Sequence, residues 1–125
     1  MINRQVLLAE INRIYVENKP MLAQLTYRQR SLIMGFLATA FRVIQAADEE
    51  ELENYAGFTH YFAGVLHSGA DVDVPPEFAE IARKQFGVEV DAETLKSALK
   101  KLAASPQVML ILDELVNAFA KARED

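Results

Sequence analysis

The sequence predicts an all-α fold: a six-helix, single-domain bundle over residues 1–125, with a central buried helix at about 27–47 and a short helical hairpin at about 76–104. Three observations predict it. Apolar residues recur at i, i+3, i+4 spacing along most of the chain, the signature of helices with one inward face. No segment shows the strict alternation of a half-buried strand. Helix-start residues stand ahead of the apolar segments, at Thr26, Asp48, Asp91 and Ser105, where short polar side chains accept hydrogen bonds from orphaned backbone N–H groups.

The first helix is expected from about Ile2 to Glu17, with Ile2, Val6, Leu7, Ile11, Ile14 and Tyr15 as its apolar stripe. Asn18-Lys19-Pro20 ends it, because the residue before a proline is pushed out of the helical region. Thr26 and Gln29 have the spacing of a capping box for the second helix. From Ser31 to Phe41 that helix carries no charge, and Arg30 and Arg42 close it at each end. A helix apolar all round is either a buried core helix or a membrane span. A span needs roughly 20 apolar residues, so the arginines make this one the core of a globule. Gly35 in its middle implies close approach of a neighbouring helix.

Asp48 and Glu51 begin the third helix as a second capping box, and the run Asp48 to Glu51 suits the positive end of the helix dipole. Leu52, Tyr55, Ala56, Thr59, Phe62, Ala63 and Leu66 form its core stripe. Phe58, Tyr61 and Val65 form a second, adjacent one. A Gly- and Asp-rich loop follows, from Ser68 to Pro75. Pro76 opens a short fourth helix, which Gly87 closes. Asp91 caps the fifth, from about Ala92 to Ala104, with Val90 and Leu95 placed as a hydrophobic staple. Ser105-Pro106 starts the last, whose apolar run Val108–Leu112 continues through Leu115, Val116 and Phe119. The second and last helices, the two most apolar, should be central neighbours, with the first and third flanking them.

Composition narrows the function classes. The hydrophobic fraction of 51% is ample for a core, and the chain has no cysteine. That excludes a disulfide framework, a thiolate nucleophile and a cysteine-ligated metal, and it suits a cytoplasmic setting. The net charge of −5 is uneven: residues 1–47 carry +4, residues 48–93 carry −10 and the remainder +1. Wholesale nucleic-acid binding wants a contiguous positive face, which an acidic middle opposes.

The candidate chemistry is sparse. His60 and His67 share a helix face but stand about 10 Å apart along the axis, too far to hold one metal ion whose ligands lie about 2 Å from it. Neither Glu-x-x-His nor His-Glu-x-x-His occurs, and no phosphate-cradling glycine loop or Gly-x-Ser-x-Gly is present. Asp71-Val72-Asp73 begins like a calcium loop, but Pro76 and Ala82 stand where glycine and glutamate are required. An enzyme is therefore not expected, and neither is a cofactor. Gly57, His60, Gly64 and His67 could form a groove for a partner backbone or a flat ligand, or the glycines could admit another helix of the same chain. Residues 78–102 resemble a helix-turn-helix in outline, with Lys96, Lys100 and Lys101 as phosphate contacts. Against that reading, the connection is long and the second helix begins with Asp91 and Glu93, where base readout would take place.

The expectation reached is a small soluble protein-binding module acting by non-covalent association: an inhibitor, an immunity or anti-defence factor, an adaptor or an assembly subunit. Phe58, Tyr61 and Val65 are its expected contact surface, because exposed aromatic patches mark protein interfaces. Homodimerisation through the same helix is a further expectation. The alternatives are a helix-turn-helix DNA-binding regulator and a helical bundle binding a metal or small molecule; no membrane partner is expected.

Overall fold

Backbone and side chains are described by a computed structural model for residues 1–69 and 91–124 and for positions 76, 80 and 83, except the side chains of 92, 95, 98, 99 and 102. Among the described residues the chain is helical without strands. The helices are α1 (Arg4–Glu17), α2 (Lys19–Ala23), α3 (Tyr27–Ala46), α4 (Glu49–Ser68), α5 (Ala92–Ala103) and α6 (Pro106–Ala122). Of the expected helix opening at Pro76, only positions 76, 80 and 83 are described; its other residues, the turn before Asp91 and the rest of the acidic loop 71–77 lie outside the described residues.

The helix starts form as the sequence predicts. The Thr26 hydroxyl accepts from the Gln29 N–H at 3.2 Å while Gln29 Oε1 accepts from the Thr26 N–H at 3.4 Å. Asp48 and Glu51 make the same reciprocal pair at 2.8 and 3.2 Å. Asp91 accepts from the Glu93 N–H at 3.0 Å, and Ser105 accepts from Val108. These bonds satisfy N–H groups that have no partner inside their own helix. Thr26→Ala is accordingly expected to cost about 1 kcal/mol, read as a lower urea midpoint with unchanged slope. At the far end of α4, Gly69 takes a φ of +72° and its N–H reaches back to the Leu66 carbonyl at 3.4 Å. This is the left-handed cap that glycine adopts without steric cost.

Two local details differ from the expected pattern. α1 ends at Glu17 before Asn18-Lys19-Pro20, as expected, but Lys19-Pro20 also begins a short further helix, α2, since proline's fixed φ serves the first turn of a helix as readily as it blocks the interior. Ile2 lies outside α1 and pairs in an isolated antiparallel bridge with Arg123, supported by Asn3 N–H to Ala122 O at 2.8 Å and Glu124 N–H to Met1 O at 2.7 Å.

Packing places α6, not α3, at the centre. α6 lies against α1, α4 and α5, whereas α3 has its substantial packing with α1 alone. The core is built from Leu7, Leu8, Ile11 and Ile14 of α1, Ile111, Leu115, Ala118, Phe119 and Ala122 of α6, and Leu52 and Ala56 of α4. Leu8 rather than Val6 completes the inward stripe of α1, and Val6 faces water. α3 contributes only Ile33, Leu37 and Ile44 as buried residues. The expected central buried helix is therefore an outer helix. Those buried positions lie on one side of the helix, Phe41 is packed against the core beside them, and much of the remaining surface of α3 is exposed.

Polar bonds tie the helices at their ends. The Arg4 guanidinium donates to the Ala47 carbonyl, placing a cation at the negative C-terminus of α3. Asn18, buried between α1 and α2, donates from Nδ2 to the Ile14 carbonyl at 2.8 Å and to Glu114 Oε2 of α6 at 2.9 Å. Arg13 and Lys121 converge on Glu10, at 2.7 and 3.6 Å. The Arg13 hydrogen bond holds the Glu10 carboxyl below its ordinary value. A depressed carboxylate stabilises the fold above the unfolded-chain pKa and loses that contribution as pH falls through the folded value. Among the described residues no helix is long and apolar enough to cross a membrane.

Candidate functional site

With Ile33, Leu37 and Ile44 turned inward, geometry dictates what α3 shows to solvent. At 3.6 residues per turn the opposite side is the line Arg28, Ser31, Gly35, Ala38 and Arg42, and all five are exposed. Large apolar side chains flank that line. Leu32 (49% exposed) and Phe36 (41%) stand on one side; Tyr27 (78%) and Met34 stand on the other. No described atom comes within 4 Å of where a Cβ would sit on Gly35. Among the described residues no neighbouring helix makes the expected close approach at Gly35, because this glycine lies on the outward line.

The same helix is unusually basic. No acidic residue occurs between Glu17 and Asp48. Elsewhere among the described residues the arginines have acceptors: Arg4 on Ala47, Arg13 on Glu10 and Glu17, Arg83 on Glu80, and Arg123 in a two-point bond to Glu53 at 3.2 and 3.1 Å. Arg28, Arg30 and Arg42 have none there. This face thus carries exposed apolar side chains, with guanidinium groups at each end that have no acceptor among the described residues.

The α4 residues singled out from the sequence are placed differently. Phe58 and Val65 are half-buried, and Tyr61 (37% exposed) rests edge-on against Phe62, with ring centroids 5.4 Å apart. Most of this expected contact stripe is thus partly absorbed by the protein's own packing. Gly57 and Gly64 face open space, with no described atom within 4 Å of where a Cβ would sit at either; no described helix fills either position. His60 is exposed, while His67 Nε2 lies 2.7 and 3.0 Å from the two Asp113 carboxylate oxygens. That contact joins α4 to α6 across the surface, and His67 stays exposed.

Lys100 and Lys101 are exposed in the last turn of α5, and Lys96 is half-buried. Lysines at a helix C-terminus complement its dipole. Apart from positions 80 and 83, the first helix of the helix-turn-helix reading and its turn lie outside the described residues. Among the described residues no three histidine or carboxylate side chains are grouped to hold a metal ion.

The residues missed in the sequence are Leu32, Met34 and Phe36 as surface, with Arg28 and Arg42 as its charged ends. Their signal was the uncharged run between arginines, which points equally to a core helix and to a docking face. Comparison with known protein families, characterised proteins and solved structures finds no match to this chain.

Proposed function

We propose that the chain is a protein-binding module that acts by non-covalent association through the outward face of α3. The observation that carries this reading is the set Leu32, Met34 and Phe36, exposed together on a helix whose arginines have no acceptor among the described residues. Exposed large apolar side chains beside charge are the kind of surface at which interaction sites form, and arginine and aromatic side chains are favoured at them. The role classes that fit are those of an inhibitor, an immunity or anti-defence factor, an adaptor or an assembly subunit, in a cytoplasmic setting. The chain does its work without catalysis in this reading.

The test compares surfaces. Leu32→Glu combined with Phe36→Glu is expected to abolish recovery of bound protein in affinity capture from the native host while leaving helical circular dichroism unchanged. Phe58→Glu with Tyr61→Glu should leave capture intact or lower the helical signal, because those side chains are partly packed. Capture lost only with the α4 pair, in a folded protein, would move the docking surface to α4.

A further inference from the structure

We propose that the occupant of this face is an acidic amphipathic helix of a partner protein, an inference that rests on the protein-binding reading of α3. The shape of the surface comes first. Arg28, Ser31, Gly35, Ala38 and Arg42 follow one another at spacings of three and four residues, a line along which a second helix can lie with its axis nearly aligned. The residues between the two arginines are small, and Leu32 and Phe36 rise on one side with Met34 on the other. The result is a line of small residues flanked by exposed apolar side chains. Arg28 and Arg42 are fourteen residues apart, so they close its ends at a separation of roughly 21 Å along the axis.

Charge then selects among occupants. The segment from Asn18 to Ala47 carries Lys19, Arg28, Arg30 and Arg42 and no acid. A second copy of α3, laid antiparallel about the midpoint between Gly35 and Ala38, would set Ser31 opposite Arg42. It would also gather four arginines from Arg28 and Arg42 in one contact, with no carboxylate on either α3. Like charges so placed oppose pairing. A bilayer surface favours helices with bulky apolar residues along the centre of the face and cations beside them; here that order is reversed. A helix with small or apolar residues on one face, and carboxylates about four turns apart, meets both features. The planar guanidinium fork pairs with a carboxylate through two bonds.

The experiment uses the full chain and a labelled synthetic helix of about five turns, with leucine and alanine on one face and glutamates fourteen residues apart. Companion peptides carry glutamine or lysine in place of glutamate. In fluorescence anisotropy at about 0.15 M salt, the glutamate peptide should bind at least about tenfold more tightly than the glutamine peptide. Arg28→Glu with Arg42→Glu should transfer the preference to the lysine peptide, and Leu32→Glu with Phe36→Glu should eliminate binding of all three. Equal binding of the glutamate and glutamine peptides, still lost in the Leu32/Phe36 variant, would overturn the acidic partner and leave the docking face standing. Retention on phosphatidylglycerol vesicles without peptide binding would overturn it in favour of lipid. A dimer in sedimentation that dissociates in the Leu32/Phe36 variant would overturn it in favour of a second copy. Failure of every peptide also removes the inference, while host capture with the same variant independently decides the docking reading.

Discussion

Adjacent residues on α3 should respond oppositely to truncation. Ile33→Ala and Leu37→Ala are expected to lower the unfolding free energy by about 3 kcal/mol each, the cost of removing a packed aliphatic side chain together with the cavity that remains. Leu32→Ala and Phe36→Ala should cost less than about 1 kcal/mol, because surface substitutions that create no cavity have small effects. Ile33 and Leu37 are 2% and 3% exposed, whereas their neighbours retain nearly half of their surface in water. Ile111→Ala in α6 should match the larger losses, since Ile111 is fully buried in the helix that α1, α4 and α5 share. Urea denaturation reads all five as midpoints at constant slope. Comparable losses at 32, 33, 36 and 37 would mean that α3 is enclosed on all sides and would remove the docking face.

A second large effect is expected at Asn18. Its side-chain amide is the donor for both the Ile14 carbonyl that ends α1 and the Glu114 carboxylate of α6. The backbone at the same residue donates to Ile14 at 3.1 Å and accepts from Leu22 at 2.9 Å. One buried residue thereby joins α1, α2 and α6. Asn18→Ala removes both side-chain bonds, one of them to a charged group, and should cost about 2 kcal/mol. Asn18→Asp should be worse near neutral pH, because it replaces a donor with a carboxylate facing both a carbonyl oxygen and the Glu114 carboxylate. Protonation relieves that repulsion, and the repulsion itself raises the folded variant's carboxyl, so the deficit of the Asp variant relative to the native protein should narrow as pH falls from neutral towards about 4, the ordinary carboxylate value. Chemical denaturation of both proteins across pH 3 to 7 measures it, and a deficit independent of pH would show that Asn18 acts through shape alone.

Much of the local structure was legible in the residues. Thr26 with Gln29, Asp48 with Glu51, and Ser105 before Pro106 mark helix starts that form with the expected bonds. The α2 helix was not legible, because Pro20 reads equally as a stop and as a first-turn residue. Nor could Asn18 be identified as a buried junction, since its partner Glu114 is ninety-six residues away in the chain. For the candidate site, the material was visible and its placement was not. The Ser31–Phe41 run and its bracketing arginines stood out in the sequence, and were assigned to the interior. The aromatic stripe of α4 looked like surplus, yet Phe58 and Val65 are half-covered by the protein itself.

By itself the sequence determined that these segments are helices and where most of them begin, because capping and helical periodicity act within four or so residues. Which side of α3 faces inward was decided only by the tertiary structure. A helix apolar around its whole circumference has almost no preferred direction of its own, so its facing is set by the neighbours available to pack against it. Here that neighbour is chiefly α1, and the side it leaves uncovered, between Arg28 and Arg42, is the surface on which the proposed function rests.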